Sequence, residues 1–123
     1  MTAPRLKYRE AISWSRAKVE AALAADDPEL LLQAVIAVSM HEEDQKYAEA
    51  LCVRLSRHPH FNVRGNAVLG FGHIARVHGK LEENVVQPLI AAALKDQEEY
   101  VRGQAHSAKD DTEHFLHWSY EKA

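Results

Sequence analysis

The sequence predicts an all-α fold of about six helices, and three observations support this fold class. A five-residue motif occurs twice, 38 residues apart: residues 63–67 (Val-Arg-Gly-Asn-Ala) return as residues 101–105 (Val-Arg-Gly-Gln-Ala). Each copy follows a polar or proline-containing break and opens a segment in which apolar residues recur with helical spacing. No segment has the pattern of a β-strand. A period of this length is typical of stacked helix pairs, which usually serve as binding surfaces.

Composition favours one soluble domain, residues 1–123. Aromatic residues make up only 7% of the chain and alanine is abundant, which favours packed helices over a sheet. The net charge of −3 lacks the basic footprint of a nucleic-acid-binding protein and favours a basic protein partner. A single cysteine, Cys52, suits a reducing compartment. Because no apolar run approaches the ~20 residues needed to cross a bilayer, and no signal peptide is evident, we expect a cytoplasmic protein without membrane contact.

Helix start and stop signals place the first three helices. The first is expected over residues 8–25 and ends at a pair of aspartates. Asp27 can cap the second helix, expected over residues 28–40, and Pro28 suits its first position. The third helix is expected over residues 43–57, where a His-Pro dipeptide ends it.

The last three helices follow the same logic. The fourth is expected over residues 63–78, and Gly79 can end it in the left-handed conformation. The fifth is expected over residues 83–95 and the sixth over residues 98–119. The fourth and sixth share one apolar spacing, i, i+4, i+7, i+11 and i+14, which predicts matching buried stripes: Val63, Ala67, Gly70, Ile74 and Val77, then Val101, Ala105, Ala108, Thr112 and Phe115.

The pattern Val-Arg-x-x-Ala, set after an Asp-containing turn and a Leu-rich helix, resembles HEAT and armadillo-like repeats. The resemblance implies a right-handed α-α superhelix, with repeats near residues 47–78 and 83–119 and a degenerate repeat over residues 26–57, in which Leu30 takes the place of Val63. It also implies that the turn aspartate and the helix arginine bond between neighbouring repeats. This makes three residues structural: Arg64, Asp96 and Arg102.

Within the repeat class, residues 62–67 together with residues 70–76 (Gly-Phe-Gly-His-Ile-Ala-Arg) resemble small bacterial HEAT-like proteins. Some of these serve as immunity proteins beside polymorphic or contact-dependent toxins. The resemblance implies a stoichiometric inhibitor that binds and occludes a cognate toxin domain. No catalytic or cofactor-binding residue is expected, because Cys52 lies in an apolar helix and the chain contains no nucleophile elbow and no phosphate loop.

Acidic residues accumulate at the turns. Their ordinary role is helix capping and compensation of the helix dipole. Successive turns of a stack also align in space, which predicts an acidic edge that steers a basic partner, with aromatic anchors nearby. The residues expected to contact the partner are Asp44, Tyr47, Glu98, Glu99, Tyr100, Asp110, Asp111 and Trp118.

A polar cluster is expected between the fourth and sixth helices. Under the 38-residue period His73 aligns with Asp111 and Arg76 aligns with His114. Stacked helices lie about 8–10 Å apart, within reach of these side chains. The cluster of His73, Arg76, Asp110 and Asp111 is either a structural ion pair or a binding spot for a charged group.

One face of the last helix is rich in histidine. His106, Asp110, His114 and His117 have the i,i+3 and i,i+4 spacings with which two residues can share a zinc or nickel ion. The set lacks a thiolate, so we expect no native metal. A metal- or small-ligand-binding regulator remains an alternative function. A scaffold or homodimer, in which the last helix stacks on its own copy, is another.

Overall fold

The computed structural model describes residues 14–120, and within this range the chain forms six α-helices and no β-strand. The all-α fold of six helices is therefore confirmed. Residues 8–13 of the expected first helix lie outside the described range. The helices are α1 (Arg16–Ala25), α2 (Pro28–His41), α3 (Gln45–Leu55), α4 (Phe61–His78), α5 (Glu83–Ala93) and α6 (Glu99–Leu116).

Most helix ends follow the local signals. Asp27 accepts a hydrogen bond from the Leu30 N–H at 3.1 Å and caps α2, and Gly79, at φ 65°, ends α4. Several ends differ from the prediction. Helix α1 begins at Arg16, because Ser15 caps it, α3 is two residues shorter than predicted at each end, and α5 ends two residues early. Two further ends differ because of the residue that caps the helix. Helix α4 begins two residues early, because the ring of His60 rather than Asn62 caps it. Helix α6 ends at residue 116, because His117 adopts the left-handed conformation with φ 59°.

The helices form two layers. Helices α2, α4 and α6 lie side by side, and α1, α3 and α5 pack against them. Helix α4 is central, since it contacts α2, α3, α5 and α6. This arrangement agrees with stacked helix pairs, while the right-handed path of a superhelix stays a prediction.

The core lies between the layers, and three expected positions were wrong. Leu30 is 40% exposed whereas Leu31 is 1% exposed, because α2 packs between α1 and α4 and its buried face is centred one residue later. Val77 and Phe115 are also exposed, since each lies in the last turn of its helix, at the edge of the core. The other members of both stripes are buried.

Gly70 allows α4 to approach two neighbours closely. A Cβ atom placed there would lie 2.7 Å from Cys52 Sγ and 3.0 Å from Ser39 Cβ, and both of these residues are buried. Gly103 in α6 contrasts with Gly70, because a Cβ atom there would meet none of the described residues within 4 Å. Close packing against residues 14–120 therefore requires glycine at position 70 but not at position 103.

Substituting these two glycines should have opposite effects. Gly70→Ala should lower the free energy of unfolding by about 1–3 kcal/mol, because the added methyl group overpacks the core. Gly103→Ala should raise it by about 0.5–1 kcal/mol, because alanine favours a helix and the space is open. Urea unfolding measures both changes. A stabilised Gly70→Ala variant would contradict the close approach of the three helices.

Candidate partner-binding site

An ion pair holds the turn before α6 against α4. Nε and Nη2 of Arg64 each donate to an oxygen of the Asp96 carboxylate at 2.9 Å. Nη1 donates to the carbonyl oxygens of His58 at 3.2 Å and Pro59 at 3.0 Å. The hydrogen bond from Arg64 is the main reason that the pKa of Asp96 lies below its ordinary value. The bond is the one that the repeat motif implies.

The same end of the molecule carries two exposed aromatic rings. Phe61 is 38% exposed and Tyr100 is 39% exposed, and their rings meet edge to face with centroids 5.9 Å apart. The Tyr100 hydroxyl accepts hydrogen bonds from Asn66 Nδ2 at 2.7 Å and Gln104 Nε2 at 2.9 Å. Because the tyrosine ring is fixed in advance, a partner that binds it loses little additional conformational entropy.

Two carboxylates flank these rings. Glu98 is the N-cap residue of α6 and Glu99 lies in its first turn. Both are exposed, and neither side chain forms an ion pair or hydrogen bond with any residue in the range 14–120. Their charges therefore face solvent beside the rings. Phe61, Glu98, Glu99 and Tyr100 are called the aromatic–acidic face below.

Asp44 and Tyr47 lie elsewhere and serve an internal contact. Asp44 accepts a hydrogen bond from Arg16 Nη2 at 2.7 Å, and this bond is the main cause of its lowered pKa. The Arg16 guanidinium also lies 4.2 Å from the centroid of the Tyr47 ring. The Tyr47 hydroxyl is buried and has no hydrogen-bond partner among residues 14–120. Both residues therefore hold α1 on α3, and neither belongs to the candidate partner-binding site.

The contact between Arg16 and Asp44 lies at the opposite end of α4 from the aromatic–acidic face. Helix α3 begins beside the end of α4, where His78 Nε2 and the Glu42 carbonyl oxygen are 3.0 Å apart. The 18 residues of α4 span about 27 Å at 1.5 Å per residue. The predicted acidic residues therefore do not form one continuous edge.

The remaining expected contacts are also separate from the aromatic–acidic face. Asp110 is exposed and Asp111 is half-buried, and both lie about three turns along α6 from Glu99. Trp118 packs against the core together with Tyr120. The hydroxyl groups of Tyr120 and Thr112 are 2.7 Å apart, and burial raises the pKa of Tyr120 to about 12. Trp118 thus belongs to a segment that folds back on its own chain.

The polar cluster between α4 and α6 forms in part. Arg76 Nη2 lies 3.5 Å from His73 Nδ1. Asp111 lies beside Gly72, where a Cβ atom would approach its carboxylate at 2.5 Å. Burial, followed by the nearby charge of Arg76, lowers the pKa of His73, and the charge of Asp111 opposes this change. Asp110 has no hydrogen-bond or ion-pair partner in the described part of the chain.

The structure separates the four candidates of the histidine-rich face. Among residues 14–120, no three His, Cys, Asp or Glu side chains lie close enough together to hold a metal ion. His117 leaves the helical face at its left-handed turn, and the His114 ring packs edge to face against Phe115 at 4.6 Å. The four candidates His106, Asp110, His114 and His117 are therefore not brought together. Burial raises the pKa of the Cys52 thiol, which leaves it unsuited to nucleophilic attack.

Sequence reasoning missed a groove between α3 and the start of α5. It has a volume of about 680 Å³ and an apolar floor. None of its four cations forms an ion pair within residues 14–120. The sequence contains a signal for it: α3 has a second stripe at residues 46, 50, 53 and 54, in addition to the buried one, and residue 57 in the turn after α3 continues it. The cations are Lys46, Arg54, Arg57 and Lys80, and the floor is formed by Ala50, Val53 and Val85.

Comparison of the chain with protein-family models, curated proteins and solved structures gave no match. In the part of the chain that the structure describes, every helix is too short or too polar to span a bilayer.

Removing the carboxylate at position 96 should destabilise the fold. Asp96→Asn should lower the free energy of unfolding by about 1.5–3 kcal/mol near neutral pH, the range for hydrogen bonds to charged groups. The folded pKa of Asp96 is depressed, so this stability is present above the ordinary value of 3.8 and is lost as pH falls through the folded pKa. Urea unfolding at neutral and at acidic pH should show the variant and wild type converging in acid. A difference independent of pH would contradict a contribution from the charge.

Replacing His73 should reduce the loss of stability in mild acid. The folded pKa of His73 is lower than its ordinary value of 6.5. The unfolded chain therefore binds a proton more readily, and the folded state loses stability as pH falls below about 6.5. His73→Gln should weaken this dependence in urea unfolding between about pH 7 and pH 5. His106→Gln, at an exposed position of α6, is the matched control. Equal pH dependence in both variants would overturn the prediction.

Proposed function

We propose that the protein is a non-enzymatic binding module for a basic protein, and that this partner is a toxin domain which it inhibits. The observation that carries the proposal is the aromatic–acidic face. Two exposed rings, one of them held by hydrogen bonds, lie beside two carboxylates without internal partners. These are the two components that a site for a basic protein surface needs.

The rings and the carboxylates have different roles in binding. Aromatic side chains supply much of the binding energy of protein interfaces, since they bury a large area and lose few rotamers. Exposed charges at the rim mainly increase the association rate and select partners of opposite charge. The net charge of −3 acts in the same direction over longer distances.

The inhibitory mechanism that fits this surface is occlusion. A preformed acidic face that covers a basic active-site cleft excludes the substrate without any chemical step. The resemblance of the repeat to small bacterial immunity proteins supports a toxin domain as the partner. One-to-one binding follows, because the face occurs once in the described chain.

Reversing the charges of the face should weaken binding. Glu98→Lys with Glu99→Lys should reduce affinity at least about tenfold, mainly through slower association, with a smaller effect at high salt. The matched control is Glu82→Lys with Glu83→Lys, since these residues hold the N-cap and first-turn positions of α5. Both pairs change the net charge and the helix dipole interaction equally.

The measurement requires a purified partner. The wild-type chain is used to capture proteins from a lysate of the source organism, and the captured protein is then purified. Its affinity for each variant is measured by calorimetry, its association rate by surface plasmon resonance, and its toxic activity with and without the inhibitor. Equal affinity for the Glu98/Glu99 variant and wild type, or full toxin activity in the complex, would overturn the proposal.

The basic groove favours a second candidate, the binding of an acidic segment. Two carboxylates, Glu49 and Glu82, also line the groove, but its four cations outnumber them and leave the lining with a net charge of +2. Within residues 14–120 neither carboxylate forms an ion pair with these cations. The same two variants separate the candidates. A partner in the groove should bind more tightly to the Glu82/Glu83 variant, which makes the groove more basic, and should be insensitive to changes at Glu98 and Glu99.

A further inference from the structure

The two copies of the Val-Arg-Gly motif differ in their contacts. The arginine and glycine of the first copy contact the carboxylate of Asp96 and the ring of Tyr100, whereas those of the second copy contact no carboxylate and no ring within residues 14–120. In the first copy, Arg64 binds Asp96 through Nε and Nη2. Gly65 lies beneath the ring of Tyr100, where a Cβ atom would be 3.0 Å from two ring carbons. Asp96 and Tyr100 are four residues apart, so one segment, the turn before α6 and the first turn of α6, supplies the partners of both Arg64 and Gly65.

Arg102 is held in the same way as Arg64. Its Nη1 donates to the carbonyl oxygens of Asp96 at 2.7 Å and Gln97 at 3.1 Å, which are six and five residues earlier in the chain. Arg64 uses the carbonyl oxygens six and five residues before it in the same manner. The Nε and Nη2 groups of Arg102 have no hydrogen-bond partner within residues 14–120. These are the donors that bind the carboxylate in the first copy.

Gly103 has no role in packing against residues 14–120. It is exposed in α6, and a Cβ atom there would meet no atom of these residues within 4 Å. Glycine is unfavourable in a helix interior compared with alanine, so its presence calls for a physical reason. In the first copy that reason is the aromatic ring of Tyr100 in α6.

We propose that Arg102 and Gly103 form a docking site, called the open socket, for a helix start of a separate partner protein. That helix start carries a carboxylate in its turn and an aromatic ring four residues later. Nε and Nη2 of Arg102 bind the carboxylate in a bidentate manner, as Arg64 binds Asp96. The ring lies on Gly103, as Tyr100 lies on Gly65.

The occupant is a separate protein rather than a second copy of this chain. Asp96 and Tyr100 are already bound by Arg64 and Asn66 of their own chain. No other helix start among residues 14–120 has an aspartate followed four residues later by an aromatic residue. A second copy therefore has no free described segment with the required chemistry.

The rest of this helix face limits the contact to the first turns. At the positions where α4 has Val68, Leu69 and Gly72, α6 has His106, Ser107 and Asp110. These three α6 residues are exposed and polar, which is typical of the outer face of a terminal repeat. The open socket is therefore a small site with weak intrinsic affinity. It is independent of the proposed function, because the aromatic–acidic face binds a basic surface whether or not the socket is filled.

A peptide tests the open socket directly. The probe is a capped peptide with the sequence of residues 94–108, which contains the aspartate and tyrosine at the required spacing. It is titrated into the full ¹⁵N-labelled chain and followed by NMR at the Arg102 Nε–H and the Gly103 N–H. We expect saturable shifts at both groups with a dissociation constant of about 1 mM. Peptides in which the aspartate is changed to asparagine, or the tyrosine to alanine, should bind at least about tenfold more weakly.

A variant of the full chain controls for folding. In Gly103→Leu the leucine side chain fills the space that the peptide's tyrosine ring would take. Because a Cβ atom at this position meets none of the described residues within 4 Å, the variant should fold normally and should no longer bind the peptide. Ala91→Leu, at an exposed position of α5, is the matched control and should bind the peptide like wild type. Unchanged binding by Gly103→Leu, or no shift at Arg102 up to several times the expected dissociation constant, would overturn the proposal. Analytical ultracentrifugation tests the alternative occupant. If the wild-type chain is a dimer and Gly103→Leu is a monomer, a second copy of the chain fills the socket, and this result would also overturn the proposal.

Discussion

The guanidinium group of Arg64 determines how α6 lies on α4. Two of its nitrogen atoms bind Asp96, and the third binds the carbonyl oxygens that precede α4, so one side chain joins two successive turns. Asp96 in turn accepts a hydrogen bond from the Glu98 N–H at 2.9 Å, at the point where α6 begins. Tyr100 follows one turn later over Gly65. The orientation of the exposed rings and carboxylates at this end therefore depends on one ion pair.

This ion pair specifies the arrangement more than it supplies the stability. Removing two charges from water costs free energy that their attraction only partly returns, so a largely buried pair has little net effect compared with apolar residues. The stability comes from fully buried side chains of the central layer, including Phe71, Ile74 and Val101. Apolar contacts tolerate small shifts between helices, whereas a bidentate hydrogen bond at 2.9 Å does not. The core holds the layers together, and Arg64 fixes their register.

The sequence predicted what depends on local spacing. Six helices and most of the buried stripes follow from the spacing of apolar residues, whereas the bond between Arg64 and Asp96 was implied by the resemblance to HEAT-like repeats. The candidate site was less predictable, because a carboxylate at a helix start has the same local pattern whether it faces solvent, as Glu98 does, or an arginine 28 residues away, as Asp44 does. Phe61 was missed because a histidine ring caps α4, which moved a residue of the expected break into the helix.

The two copies of the Val-Arg-Gly motif have different surroundings, and the order of charges along α6 follows from this. Glu98 and Glu99 present negative charge in the first turn of α6, and Arg102 presents positive charge about one turn later. In the first copy, Arg64 is neutralised by Asp96 and no such alternation reaches the surface. A partner that contacts both parts of α6 must carry a basic group followed by an acidic group along the same line. Reversing its direction would place like charges opposite each other, which costs several kcal/mol. A helix that bound along this part of α6 would therefore be selected for its orientation as well as for its composition.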